Sequence, residues 1–138
     1  MGRIMAIDYG RKRAGIAVTD EQQLIANGLT TVASHELFPF LRSYLQKEQV
    51  DGFVVGEPRQ MNNQPSGAVL YINPFVKKFR QLYPDMKLEL ADERFTSRMA
   101  FNAMIEGGLK KKARQNKSTV DVISAVIILQ SYMEQKRF

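Results

Sequence analysis

At 138 residues the chain suits a single domain spanning 1–138, because domains commonly run to about 100–150 residues and bury a usable core at that size. Its apolar fraction of 44% and charged fraction of 25% set aside disordered and fibrous architectures, and the absence of cysteine excludes disulfides, thiolate chemistry and cysteine-held zinc. With one histidine, His35, any metal must be held mainly by oxygen, while the net charge of +6 favours polyanionic partners without requiring one.

Ile4 to Ile7 form a short apolar run ending in Asp8; Gly10 marks a turn, and Ala14 to Val18 form a second run, which together read as a β-hairpin. A third strand is expected over Leu29 to Ala33. Phe38, Leu41, Tyr44 and Leu45 then recur at helical spacing, with Pro39 tolerable in a first turn. Gly52 to Gly56 carries Phe53, Val54 and Val55 without alternation, as a strand buried on both faces does, and stops at Glu57-Pro58. A polar loop from Arg59 to Gly67 leads to a second amphipathic helix, with Val69, Ile72, Phe75, Val76, Phe79 and Leu82 on one stripe. Pro74 is expected to kink that helix or to mark its true start.

Leu88 to Ala91 gives a last strand running into Asp92-Glu93-Arg94. Thr96 can cap a third helix that ends at Gly107-Gly108. Lys110, Lys111, Lys112, Arg114 and Lys117 then crowd together before Ser118 opens a final helix, apolar on nearly every side and therefore expected to be buried. The order implies an α/β fold, a mixed five-stranded sheet covered by helices. The longest apolar run, Ala125 to Leu129, is far short of the roughly 20 residues a membrane span needs, and the start has no export-type apolar segment, so a cytoplasmic protein is expected.

Four acids sit at element ends: Asp8, Glu57, Glu93 and Asp121. Metal-assisted phosphodiester hydrolysis needs such carboxylates to converge, because hard oxygen ligands hold the divalent ion. Alternation puts Ile4, Ala6 and Asp8 on one strand face, so Asp8 leaves a core face at its rim, where a charge is costly unless paired or metal-bound. The competing reading is a turn aspartate bonded to the backbone before Gly10. Asp121 can cap its helix, since Ser118-x-x-Asp121 has the spacing of a capping box, yet Asp121, Ser124 and Ala125 also form a small-residue face with space for metal, water and phosphate. Asp92 and Glu93 fall on opposite faces if the strand continues, and Arg94 can pair with either.

Four blocks in this order resemble the YqgF, or RuvX, family of RNase H-like proteins: A-I-D-Y-G-R-K-R-A-G-I-A-V-T-D at Ala6 to Asp20, V-V-G-E-P at Val54 to Pro58, D-E-R-F-T-S at Asp92 to Ser97, and K-S-T-V-D-V-I-S-A-V-I-I-L-Q at Lys117 to Gln130. The resemblance implies an RNase H-like fold and a nuclease that matures the 5' end of pre-16S rRNA or resolves Holliday junctions. It implies Asp8, Glu93 and Asp121 as catalytic carboxylates and ligands of one or two Mg2+ or Mn2+ ions. Glu57 replaces the leucine of the family's V-G-L-P, and is either a fourth ligand or a solvent-facing substitution. Arg11, Lys12 and Arg13, with Arg94, Lys110, Lys111, Lys112, Arg114 and Lys117, are then expected to meet the phosphates of an rRNA precursor or branched DNA. Junction resolution would call for two active sites and hence a homodimer, for which no dimerisation element stands out.

Two other readings compete. A non-catalytic nucleic-acid-binding protein would keep the fold without turnover. A nucleotide-binding module of the actin and sugar-kinase type would share the hairpin after D-x-G, but a second D-x-G is missing.

Overall fold

The computed structural model describes residues 2–57, 69–92 and 117–136. Five strands form one sheet: β1 (Arg3–Tyr9), β2 (Arg13–Thr19), β3 (Ala26–Ala33), β4 (Val50–Glu57) and β5 (Lys87–Asp92), in the order β3-β2-β1-β4-β5. β1 pairs antiparallel with β2 and β2 with β3, whereas β4 runs parallel to both β1 and β5. The mixed α/β architecture read from the sequence is therefore present. The carboxyl ends of β1, β4 and β5 share one edge of the sheet, the edge at which parallel α/β sheets place their ligands.

Side-chain size divides the two faces. Met5, Ile7, Ile16, Phe53 and Val55 point to a face covered by α1 (Leu37–Lys47) and α2 (Val69–Leu82), where Leu37, Leu41, Ile72, Phe75 and Phe79 complete a large core. Phe53 meets Phe79 edge-on at 4.8 Å, a favoured aromatic geometry. Ala6, Ala17 and Val54 point to the opposite face, which is covered by α3 (Lys117–Lys136) through Ala125, Ile128, Leu129, Tyr132 and Met133. Period-two alternation of large and small residues in β1 and β2 thus seats a thick helical layer on one side and lets a single helix approach closely on the other.

Three expectations change. β3 begins at Ala26 instead of Leu29, because pairing with β2 continues through a register shift between Ile16 and Ala17. Pro74 lies inside α2 and does not begin it. α3 is not buried all round: Gln130 and Glu134 are exposed while Ala125, Ile128 and Leu129 are buried, as expected of a helix lying on a sheet. The helix expected from Thr96 to Gly107 lies outside the described residues.

The β2–β3 connection is organised by Asp20, whose carboxylate accepts hydrogen bonds from the backbone N–H groups of Gln22, Leu24 and Ile25. The Ile25 N–H is foremost in holding this carboxyl below the usual carboxylate range; desolvation opposes it, and the N–H groups of Leu24 and Gln22 add to the lowering. A depressed folded-state pKa means that the stabilisation is complete above the unfolded value, about 4, and is lost as pH falls through the folded value. Asp20→Asn should therefore lower the melting temperature at neutral pH, and the gap from the native chain should close as the pH drops below about 4. Thermal melts across that range check this; a gap independent of pH would refute it.

Candidate active site

The site begins at the β1–β2 hairpin. Tyr9 pairs with Ala14, and Gly10 N–H donates to the Arg13 carbonyl at 3.0 Å, leaving Arg11 and Lys12 exposed at the tip. A Cβ at Gly10 would come within 2.7 Å of that carbonyl oxygen, so the tight closure requires glycine. The tip is also held from outside: Ser34, following β3, donates its N–H to the Lys12 carbonyl at 3.0 Å and its hydroxyl to the Gly10 carbonyl at 2.6 Å. The backbone that carries Arg11 and Lys12 is thereby held at this edge of the sheet. Removing the hydroxyl with Ser34→Ala should cost about 1 kcal/mol in chemical denaturation, the ordinary worth of such a bond; no loss would show that the backbone bond alone suffices.

Asp8 shares its strand face with Ala6, on the α3 side, as the alternation predicts, and is half-buried at the rim. Its partner across the antiparallel ladder is Gly15. Opposed residues lie roughly 4.5–5.5 Å apart at Cα and point to the same face. Asp121 lies over Gly15 from the other direction. A Cβ at Gly15 would overlap the Asp121 carbonyl and sit 2.9 Å from the Asp121 Cβ. Gly15 is thus the floor that brings Asp8 and Asp121 to one place, and sequence reasoning missed it. On the neighbouring strand Gly28 has a similar role, since a Cβ there would come within 2.6 Å of Val122. The available signal was the run Arg13, Gly15, Ala17, small beyond its first member and alternating with Ala14, Ile16 and Val18.

The small-residue face of α3 has a different use from the one expected. Ser124 and Ala125 are buried against the sheet, so small size there permits close helix–sheet packing and does not leave room for ligands. The capping reading of Asp121 also changes, since the helix already runs at Lys117 and Ser118 lies inside it. What the Asp121 carboxylate does is accept a hydrogen bond from Arg13 Nε at 2.6 Å, a charge-assisted contact. Arg13 therefore points back across the sheet onto α3, unlike Arg11 and Lys12. All three, with Gly10 and Asp121, line one shallow depression.

Glu57 stands in register with Asp92 where β4 meets β5. Glu93, Arg94, Lys110, Lys111, Lys112 and Arg114 lie outside the described residues, and Lys117 is described in its backbone alone. Among the described residues no group of three or more acidic or histidine side chains could hold a metal ion. The donor chemistry nevertheless fits a hard divalent cation: Asp8 stands opposite Gly15 in the sheet, Asp121 lies over the same glycine, and the Arg13 guanidinium shows that a positive charge is accommodated at Asp121. His35, largely exposed beside Glu36 in the short turn Ser34–Glu36, does not belong to this set. No helix among the described residues is long and apolar enough to cross a membrane.

Known proteins resemble this chain over its whole length. The model of the RuvX family, described as Holliday junction resolvase, matches residues 2–135. A protein of Flavobacterium johnsoniae named "Putative pre-16S rRNA nuclease" is 56% identical over 138 residues, covering the whole of both chains. Relatives of the same name from Phocaeicola vulgatus and Bacteroides fragilis are each 58% identical, the first over 138 residues with 100% of this chain and 99% of its own covered, the second over 137 residues with 99% of both covered.

Proposed function

This chain belongs to the RuvX family, and from that premise we propose that it is a divalent-metal-dependent endonuclease that trims precursor 16S rRNA, with Asp8, Asp121 and Glu93 as its carboxylate set. The chain is a nuclease, its substrate is nucleic acid, and its work is rRNA processing or junction resolution. Precursor rRNA is favoured here because full-length relatives at 56–58% identity carry that name. A four-way DNA junction is the second reading, on the strength of the family's description. Cytoplasmic action fits either substrate.

The observation that supports the chemistry is the convergence of Asp8 and Asp121 across Gly15, beside a hairpin tip carrying Arg11 and Lys12. Ala91, in β5, packs on the α3 side. Glu93 is taken as the third carboxylate because the acidic residue of the family's D-E-R block falls there. Glu57, which stands where the family has leucine, is left outside this set as a substitution. When bound, Mg2+ or Mn2+ supplies a Lewis acid and a metal-activated water. The carboxylates would hold and orient that ion at the sheet edge, and Arg11 and Lys12 would neutralise phosphates approaching it.

The direct test is cleavage of a precursor 16S rRNA transcript and of a four-way DNA junction, each with Mg2+, with Mn2+ and with chelator. Metal-dependent cutting of the transcript supports the proposal; cutting of the junction alone favours the second reading. Binding without cleavage of either would establish a non-catalytic protein. The cationic tip has its own signature. Arg11→Ala combined with Lys12→Ala should weaken binding and flatten the log–log salt dependence by about 1.5, since each lost phosphate contact removes roughly 0.7–0.9 from the slope. An unchanged slope would place these two side chains off the phosphate path.

A further inference from the structure

We propose that Arg13 is a positioning residue that occupies Asp121 in the free protein, yields it to the divalent cation, and then turns to a phosphate of the substrate. The inference rests on the reading of Asp121 as a ligand. Its basis is the contact between Arg13 Nε and Asp121 Oδ2 at 2.6 Å, which ties β2 to α3 at the carboxylate assigned to the metal. Strand parity makes this contact specific: Arg13 shares the α3 face with Gly15 and Ala17, and the glycine lets Asp121 descend within its reach.

A guanidinium stays charged throughout the ordinary pH range, so proton loss from Arg13 cannot release the carboxylate. An incoming cation must share or displace the guanidinium at Oδ2. The pair is only partly buried, with the Arg13 side chain 33% exposed and that of Asp121 20% exposed, so a cation can reach the carboxylate from solvent. The released guanidinium already lines the depression shared with Arg11 and Lys12, where its fork of donors matches phosphate oxygens. Metal takes one partner of the ion pair and phosphate takes the other. Each event therefore favours the other, and thermodynamic linkage makes that coupling reciprocal.

The experiment uses the full chain without nucleic acid. Mn2+ binding, followed by electron paramagnetic resonance, should be roughly two- to tenfold tighter in Arg13→Gln than in the native chain. Arg13→Lys, which restores a competing charge, should bring the affinity back toward native, and Asp121→Asn should lose the site. In the native chain, the Arg13 Nε–H resonance should shift as Mg2+ saturates. A folded Arg13→Gln that binds Mn2+ no more tightly than native, or an Nε–H signal unmoved at saturating Mg2+, would overturn the role of Arg13 and leave the metal site standing. Absence of saturable Mn2+ binding in the native chain would overturn the metal reading itself.

Discussion

Asp8→Asn should abolish cleavage while leaving the fold and nucleic-acid binding in place. Asp8 sits at the end of β1 on the α3 face, half-buried at the rim and outside the residues that fill either core. An isosteric amide keeps the shape of that rim and removes one negative charge, so affinity for a polyanion should hold or rise. The amide is a much poorer ligand for a hard cation. Loss of an outer-shell partner of a metal ligand costs about 10- to 100-fold, and loss of a ligand itself should exceed that, so a fall in kcat of more than roughly 100-fold is expected. The measurement pairs a single-turnover cleavage assay with a binding titration on the same substrate. Near-native turnover in the variant would remove Asp8 from the chemistry, and with it the convergence on which the proposed function rests.

Gly15→Ala is expected to be the most damaging single-methyl change among the described residues. The added carbon would overlap the carbonyl of Asp121, and backbone in a packed helix cannot rotate aside as a flexible side chain can. α3 must lift from β2, loosening contacts at Ala125, Ile128 and Leu129. Overpacking of this kind costs about 1–3 kcal/mol and occasionally more, and the upper end applies where the clash is with backbone. For a chain of this size that corresponds to a fall in melting temperature of roughly 10 °C. Cleavage should fall further than the folded fraction, because lifting α3 carries Asp121 away from Asp8. Gly52→Ala is the control, since its new Cβ would meet Lys87 atoms no closer than 3.7 Å, an ordinary contact. Equal melting temperatures for the two variants would show that α3 does not bear on Gly15 as described.

Much of the frame was legible in the order of residues. Alternation in Met5, Ala6, Ile7 and Asp8 set the acid on the side of the small residues, and β1 keeps that parity. The apolar run Phe53 to Val55 read as a central strand because both of its faces meet helices, and β4 lies between β1 and β5. Element ends were less legible. The start of β3 depends on a register shift opposite Ile16 and Ala17, and the run through Pro74 depends on the packing of Ile72, Phe75 and Phe79, neither of which leaves a local mark. The small face of Ser124 and Ala125 was visible, but its purpose was not, since small residues serve a cavity and a close contact equally well.

By itself the sequence determined the periodicities, the mainly oxygen donor chemistry that follows from lacking cysteine and having one histidine, and the placement of Asp8 at the rim of a strand. These are local properties, carried by spacing along the chain. Only the tertiary structure decided that Gly15 brings Asp121 down beside Asp8, that Ser34 ties the Arg11-Lys12 tip to the sheet edge, and that Arg13 turns away from that tip to hold Asp121. Each of these joins residues 22 to 108 positions apart, and such partners are chosen by which surfaces the folded sheet and its helices bring together.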